Sequence, residues 1–344
     1  MVNEDDKMNE KDVSQLSNQA TLTILDVIKR HRENAYRKIN EEIVTMYWEI
    51  GKFLSERVAS ESWGAKVIDN IAKEINRRNP TLKGFDRASL YRIMQFYDTY
   101  KENEIVAPLV RQISWTNNLV IFSHKSSIEE KEFYIRLCIK NNYSKRELKR
   151  QISSRYYERY MLSNGNATIS TKKLIDEEDY PNTRILDTYS LEFLDLPNNY
   201  KEKDLRDSIM DNMKDFILEI GKDFSFVGKE YRIQVADRDF FIDLLFYNRT
   251  HSCLVAFELK MEEFQPEYIS KMSFYLTALD RQERKPNENP SVGIILCASK
   301  NNTMVEYASS NNLSPIAVAE YTTKLIDKKL LEHKLIEYKR LLLK

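Results

Sequence analysis

The chain has 344 residues, of which 31% are charged and 42% are apolar, and its formal net charge is zero. This length allows two domains that each bury a core. Uninterrupted apolar stretches are short, as in Val292 to Ala298, so the sequence predicts no membrane-spanning segment. Because the first seven residues lack the basic and apolar regions of a signal peptide, we expect a cytoplasmic protein.

Cysteines and histidines are few and scattered. The cysteines, Cys138, Cys253 and Cys297, lie in apolar surroundings without Cys-x-x-Cys spacing. This distribution favours neither a disulfide framework nor a zinc site, and we expect the cysteines to fill cores.

Charge is distributed unevenly along the chain. Lys and Arg against Asp and Glu number 2 to 5 in residues 1–20, 26 to 18 in residues 21–165, and 25 to 30 in residues 166–344. A basic segment (+8) followed by an acidic one (−5) fits a module that binds a polyanion, joined to a module that carries carboxylates.

Residues 1–20 are polar and aperiodic and are predicted to be disordered, whereas residues 21–165 show helical periodicity nearly throughout. A helix over roughly 65–79 stops at Pro80, and Asp86 caps the next helix after a short turn. This outline is that of a helix-turn-helix, whose second helix would present Arg87 and Arg92 to DNA. An ordinary helical hairpin has the same outline.

A further helix begins at Ser144, where Glu147 completes a capping box. Lys145, Lys149 and Arg150 contribute to a basic stripe that favours phosphate contact, although a solvated face would look alike. We therefore predict a DNA-binding helical domain over residues 21–165. Residues 166–200, which hold turn signals and little periodicity, are predicted to be a linker region.

Residues 201–344 predict an α/β domain. A helix over roughly 203–221 precedes strands near 230–236, 239–247 and 252–260, then a helix from Pro266, a strand at 292–298, a helix near 303–310 and a strand at 316–321. This αβββαβ order predicts a mixed sheet flanked by helices. Residues 328–344 form an amphipathic pattern that could serve as a homo-oligomer contact.

Ionisable residues interrupt two apolar strands of this domain. Asp243 lies within the run 240–247, and Glu258 and Lys260 end the run 254–260. If the two runs pair as a hairpin through residues 248–251, period-two alternation brings all three side chains to one side. Two carboxylates beside one ammonium suit a hard divalent cation and the activation of a water molecule. A buried ion pair without function is the alternative interpretation.

Several motifs resemble a known family. The segments Phe240–Tyr247, Glu258–Lys260, Pro266–Tyr268, Lys271–Met272 and Tyr275–Leu276 resemble the PD-(D/E)XK nuclease domain of the YhcG type. Residues 21–160 resemble the helical domain of unknown function that precedes it. The motifs that carry this second resemblance are Trp63–Ile68, Phe96–Tyr97, Ser114–Trp115, Glu132–Tyr134 and Arg146–Leu148.

The resemblance implies a restriction-endonuclease-like fold, a phosphodiester substrate and dependence on Mg²⁺, with Mn²⁺ as an alternative. Carried over by position, Asp243 and Glu258 would hold the metal, and Lys260 would complete the catalytic set, with Ile242 standing where the motif has Pro. It further suggests Glu219 as an acid contributed by the preceding helix, unless Glu219 is a plain surface carboxylate. Lys271 and Tyr275 would contact the nucleic-acid backbone, unless Tyr275 is core.

Taken together, the sequence predicts a Mg²⁺-dependent nuclease with an N-terminal DNA-binding domain. A nucleic-acid-binding adaptor with an inactive nuclease fold is the alternative, and a helical interaction module with secondary cleavage is a third. The intact set of Asp243, Glu258 and Lys260 argues against the adaptor, because a scaffold does not need buried acids.

Overall fold

The structure, a computed structural model, describes residues 10–60, 65–163, 185–310 and 312–336, apart from 198, 326, 328 and 332. Two compact units divide the chain, Met1–Asn142 and Tyr143–Lys344. The described part of the first unit is helical, and the second unit contains a mixed six-stranded sheet. Among the described helices, none combines the length and the apolar character that crossing a membrane requires.

The first unit contains six α-helices in its described part: α1 (Glu10–Ser60), α2 (Ala65–Arg78), α3 (Arg87–Tyr100), α4 (Val106–Leu109), α5 (Trp115–Ser123) and α6 (Ile128–Asn141). Helix α1 starts at residue 10, so the predicted disorder over residues 1–20 differs from the structure, and residues 1–9 lie outside the described part. Residues 10–20 contain neither Gly nor Pro, so nothing ends a helix that extends from residue 21 towards the N-terminus.

Close packing of α1 on α3 depends on Gly51. A Cβ at this position would lie 2.6 Å from the carbonyl oxygen of Ile93 and 2.8 Å from Cβ of Tyr97. Helix α3 begins at the predicted cap, where the Asp86 carboxylate accepts from the amide of Ser89 at 2.9 Å. Residues 79–86 join α2 to α3, and this connection is longer than the three or four residues of a helix-turn-helix.

The second unit begins with two helices that the sequence placed in the N-terminal domain, α7 (Lys145–Ser153) and α8 (Tyr156–Leu162). A three-residue strand that the sequence did not predict follows, β1 (Thr188–Ser190). The α-helices and strands that follow are α9 (Glu202–Asp211), α10 (Met213–Ile220), β2 (Phe224–Val235), β3 (Arg238–Asn248), β4 (Cys253–Leu259), α11 (Glu267–Gln282), β5 (Val292–Cys297), α12 (Asn302–Ser309) and β6 (Ile316–Thr322).

The strand order is β1-β6-β5-β4-β3-β2. Strands β2, β3 and β4 are antiparallel neighbours, while β4, β5, β6 and β1 run parallel. The helix predicted over 203–221 forms two helices, α9 and α10, and the elements from α10 to β5 follow the predicted αβββαβ order. The predicted hairpin between β3 and β4 is confirmed by a continuous register from Leu244 opposite Phe257 to Asn248 opposite Cys253.

Helices cover both faces of this sheet. On one face α11 packs on Leu245, Ala256 and Ile295 through a buried apolar cluster. Gly293 of β5 permits the close approach, since a Cβ there would lie 2.4 Å from Cγ of Met272. On the other face the ring of Phe216 in α10 lies 5.9 Å from the rings of both Phe246 and Phe257.

The cysteines are all free and buried, which confirms that they fill cores. Of the predicted C-terminal helix over residues 328–344, residues 329–331 and 333–336 are helical. The rest of that prediction lies outside the described residues.

Candidate active site

Two carboxylates lie side by side where the pairing of β3 with β4 ends. The last paired residues are Leu244 and Phe257, so one further step of the register sets Asp243 opposite Glu258. Residues directly opposite in an antiparallel pair project to the same side of the sheet. Both side chains are buried, with 7% of Asp243 and 3% of Glu258 exposed. Buried carboxylates of this kind require compensating partners.

Asp243 has a backbone and a side-chain partner. Its Oδ2 accepts from the amide of Leu259 at 2.9 Å, which ties β3 to the end of β4. Its Oδ1 lies 2.7 Å from Nη1 of Arg206 in α9, and Nη2 of the same guanidinium lies 3.0 Å from Oε1 of Glu230. Arg206 therefore supplies a counter-charge beside the buried carboxylate of Asp243.

Glu258 has one satisfied and one unsatisfied oxygen. Its Oε1 is contacted by Nζ of Lys260 at 3.0 Å and by Nζ of Lys271 in α11. Its Oε2 is buried and has no hydrogen-bond partner among the described residues. A buried carboxylate oxygen without a donor costs free energy unless another ligand occupies that position.

The two lysines of the site are protonated. Burial by itself lowers the pKa of Lys260, but the Glu258 carboxylate outweighs burial and raises that pKa above its ordinary value. Burial likewise lowers the pKa of Lys271, but the Glu258 carboxylate outweighs burial and raises that pKa. Nζ of Lys260 also lies 3.4 Å from Oε2 of Glu202 in α9. The site therefore presents ammonium groups to anything that binds beside the two acids.

The donor set fits a hard divalent cation. Asp243 and Glu258 offer carboxylate oxygens from adjacent strands, and the unpartnered Oε2 of Glu258 is an acceptor without a donor. No group of three or more His, Cys, Asp or Glu side chains within the described part of the chain could hold a metal ion by itself. Two carboxylates suffice for Mg²⁺, which keeps several of its waters and takes further oxygens from a phosphate.

Comparison with known families agrees with this arrangement. Residues 182–336 match the model of the YhcG PDDEXK nuclease domain, and residues 23–159 match that of the DUF1016 N-terminal domain. The chain therefore contains a YhcG PDDEXK nuclease domain preceded by a DUF1016 N-terminal domain. The YhcG protein of Escherichia coli (strain K12) is 27% identical over 339 residues, which cover 89% of this chain and 90% of that protein.

Similarity to solved structures is weak by comparison. A repair endonuclease from Pyrococcus abyssi matches with a TM-score of 0.25 at 15% identity, over 38% of this chain and 49% of that chain. A complex of EndoMS with double-stranded DNA matches with a TM-score of 0.27 at 14% identity, over 38% of this chain and 48% of that chain. Each match spans about half of the solved chain, and at these scores it supports no conclusion about function.

Glu219, suggested as a further metal ligand of the PDDEXK domain, lies in a different cluster. Its Oε1 is paired with Nη1 of Arg159 and accepts from the amide of Ser190 at 2.8 Å, and its Oε2 lies 3.1 Å from Nη1 of Arg150. The side chains of Glu219 and Arg159 are fully buried. Because Oε2 also accepts from Nη2 of Arg159 at 3.4 Å, each oxygen of Glu219 has two donors among the described residues, whereas each oxygen of Asp243 has one. This favours a structural role for Glu219 over metal binding and corrects the surface interpretation as well.

The predicted nucleic-acid contacts separate into exposed and occupied groups. Lys145 and Lys149 on α7 and Arg92 on α3 are exposed, and Arg87 is 61% exposed while paired with Asp69. Arg150, in contrast, donates hydrogen bonds to Glu219 and to the Ser190 carbonyl. Its guanidinium lies 4.7 Å from the ring centre of Phe193. Arg150 is therefore withdrawn from the predicted phosphate contacts.

The two predicted contacts on α11 also differ. Lys271 is 46% exposed on its side chain and reaches Glu258, so it lies in the site. Tyr275 is 3% exposed and belongs to the apolar cluster beneath the sheet. The Nζ of Lys271 lies 5.3 Å from the ring centre of Tyr275. The Tyr275 ring thus packs against the end of the Lys271 side chain. The contacts of Tyr275 favour the core interpretation over direct binding of a nucleic acid.

Glu202 and Arg206 of α9 are the site residues that the sequence did not predict. They are four positions apart and therefore share one helix face, from which Glu202 reaches Lys260 and Arg206 reaches Asp243. Charged residues at this spacing are ordinarily a solvated helix face. The available signal was that the helix predicted over 203–221 precedes the strands that bear Asp243 and Glu258.

We expect Arg206→Gln to lower the melting temperature in the absence of metal and to enlarge the rise in melting temperature that Mg²⁺ produces. The reason is that Asp243 loses its counter-charge beside Glu258, and a bound cation can replace it. Thermal unfolding across a Mg²⁺ titration measures both effects. Arg232→Gln is the matched control, because Arg232 pairs with Asp239 at the surface. Equal Mg²⁺-induced shifts in both variants would remove Arg206 from this role.

Proposed function

We propose that this chain is a divalent-metal-dependent nuclease that hydrolyses phosphodiester bonds, with DNA as the favoured substrate. The observation that carries the proposal is the buried pair Asp243 and Glu258, in which Oε2 of Glu258 has no donor among the described residues while two ammonium groups lie beside Oε1. Buried acceptors are ordinarily hydrogen-bonded, and a bound cation would satisfy this oxygen.

Asp243 and Glu258 would hold the cation, which when bound would stabilise charge on the phosphate and lower the pKa of a water molecule. Lys260 would donate a hydrogen bond to the negative charge that develops on the phosphate, since its raised pKa favours the ammonium form over a general base. Lys271, half exposed, would bind a neighbouring phosphate of the substrate. Glu202, whose Oε2 lies 3.4 Å from Nζ of Lys260, would help to orient that ammonium.

Direct cleavage assays test this function. The full chain would be incubated with linear duplex, nicked, branched and single-stranded DNA and with RNA, in Mg²⁺, in Mn²⁺ and in EDTA. We expect shorter products only when a divalent ion is present. Binding of any of these substrates without cleavage in either metal would contradict the proposal and favour the adaptor function instead.

For the interface with nucleic acid, exposed cations of α7 are the favoured contacts. Lys145, Arg146 and Lys149 are exposed on one helix, where Ser144 and Glu147 fix the first turn through a capping box. Arg150, the fourth cation of the predicted stripe, is bonded to Glu219. The other three cations are the ones that would contact phosphates.

Lys149→Glu is expected to weaken binding to duplex DNA and to reduce the slope of log K against log salt concentration by about 1, because one phosphate contact is lost. Fluorescence anisotropy on the full chain between low and physiological salt measures the slope. Lys214→Glu, a reversal at an exposed lysine of α10, is the matched control. Identical slopes for the two variants would exclude α7 from the interface.

A further inference from the structure

Helix α1 carries two apolar faces, and its own unit covers one of them. Val44, Gly51 and Leu54 are buried on the inner face, where α1 meets α3. A second row of large apolar side chains is 36–69% exposed: Leu22, Leu25, Tyr36, Ile39, Ile43, Met46 and Phe53. A row of large exposed apolar side chains of this length marks an interaction surface, unlike single apolar residues scattered over a surface.

The spacing of the outer row is that of a coiled coil. Leu22, Tyr36 and Ile43 fall on one heptad position, and Leu25, Ile39, Met46 and Phe53 on the position three residues later. A sustained alternation of three and four residues is the pattern of a helix that winds around another helix. Lys29 and Arg32 occupy both positions in the second heptad and interrupt the row once.

The length of the row determines what can cover it. From Leu22 to Phe53 it extends about 47 Å at 1.5 Å per residue. The next longest of the described helices, α11, has 16 residues and extends only about 24 Å. An identical copy of α1, with 51 residues, has both the length and the apolar row.

The two interrupting cations decide the direction. In a parallel pair, Lys29 would face Lys29 and Arg32 would face Arg32 inside the seam, which like charges disfavour. In an antiparallel pair with Tyr36 beside Ile39 of the second copy, Lys29 lies beside Met46 and Arg32 beside Ile43. The exposed residues Glu42 and Glu49 of the second copy then flank both cations. We propose that two copies of the chain associate through an antiparallel coiled coil of α1 over residues 22–53.

The mass of the full chain in solution tests the pairing. Light scattering coupled to size exclusion should give twice the chain mass of 40.8 kDa for the unmodified protein. Ile39→Glu places a charge near the centre of the seam in both copies and should return the mass to that of one chain. Asn34→Glu adds the same charge at an exposed position on the opposite side of α1 and should remain dimeric. Circular dichroism should show equal helix content in the two variants.

Charge exchange tests the direction independently of Ile39. The variant Glu42→Lys/Glu49→Lys should be monomeric by itself, because four cations then meet at each end of the seam. Mixing it with Lys29→Glu/Arg32→Glu should restore a dimer, since each set of lysines then faces carboxylates.

Three results would overturn the proposal. A monomer at all concentrations up to about 50 µM would leave no copy to cover the row. A dimer that survives Ile39→Glu would be formed by another surface, such as the segment 328–344. Glu42→Lys/Glu49→Lys remaining dimeric would contradict the antiparallel direction, because a parallel pair does not bring these glutamates to Lys29 and Arg32.

Discussion

The variants Asp243→Asn and Glu258→Gln are each expected to lower the rate of phosphodiester cleavage by about 10³-fold or more. Each keeps the size of the side chain and removes one of the two charges that would hold the cation. Loss of metal-based stabilisation is worth several kcal/mol in the transition state, and each 1.4 kcal/mol is tenfold in rate. Single-turnover cleavage of labelled DNA at saturating protein measures the change without a contribution from binding.

Lys260→Met should produce a loss of similar size, because the ammonium of Lys260 would donate to the charge that develops on the phosphate. Its Nζ lies 3.0 Å from Oε1 of Glu258, beside the proposed metal site. Asp239→Asn is the matched control: Asp239 lies on the same strand β3, is exposed, and pairs with Arg232. Duplex binding should be retained in all four variants. Cleavage at an unchanged rate in Asp243→Asn or Glu258→Gln would place the chemistry elsewhere in the chain.

Glu219→Gln is expected to destabilise the second unit by about 3–5 kcal/mol. The substitution leaves the buried Arg159 and the largely buried Arg150 without their anionic partner, and removing one member of a buried ion pair costs this much. For a unit of this size the melting temperature should fall by roughly 6–20 °C. Cleavage below the melting transition should continue at the rate of the unmodified chain, because Glu219 does not touch the candidate site.

Asp215→Asn is the matched control for this prediction. Asp215 lies four residues earlier on α10 and is half-buried, and the same loss of charge there should change the melting temperature by a degree or two at most. Differential scanning calorimetry of the full chain gives both values. A large drop in cleavage rate with an unchanged melting temperature would instead return Glu219 to the metal site.

The dependence of stability on pH follows from the same cluster. Burial raises the pKa of Glu219, but Arg159 and Arg150 outweigh burial and hold that pKa below its usual range. A carboxyl whose pKa is lower in the folded state stabilises the fold above its unfolded pKa, and this contribution disappears as pH falls through the folded value. The difference in unfolding free energy between the unmodified chain and Glu219→Gln should therefore shrink on acidification below about pH 4.5.

Local patterns predicted the parts of the molecule that depend on neighbouring residues. The apolar runs containing Asp243 and Glu258 gave the β3–β4 hairpin, because period-two alternation and a short turn determine the register of such a pair. Likewise Asp86 and the Ser144–Glu147 capping box marked the starts of α3 and α7. In each case the interaction that forms the structure spans few residues.

Contacts between distant segments were not predictable in this way. Glu219 meets Arg159 and Arg150 across 60 and 69 residues, so its helix position alone could not distinguish a metal ligand from an ion pair. The spacing of Glu202 and Arg206 is that of an ordinary polar helix face. Only the packing of α9 beside Lys260 and Asp243 brings both residues into the site. Strand β1 has three residues and pairs in parallel with β6, a segment far along the chain, so no local pattern marks it.

The contacts of Glu219 also bear on where the chain can be divided. The match to the N-terminal domain ends at residue 159 and the match to the nuclease domain begins at residue 182. The boundary between the two compact units, in contrast, falls between Asn142 and Tyr143. A nuclease fragment begun at the family boundary would keep Glu219 and lose both arginines, together with the glutamine of α7 that donates to the Leu218 carbonyl. A fragment begun at Tyr143 would keep them all. Helices α7 and α8 therefore belong to the second compact unit, although the match to the DUF1016 N-terminal domain extends to residue 159.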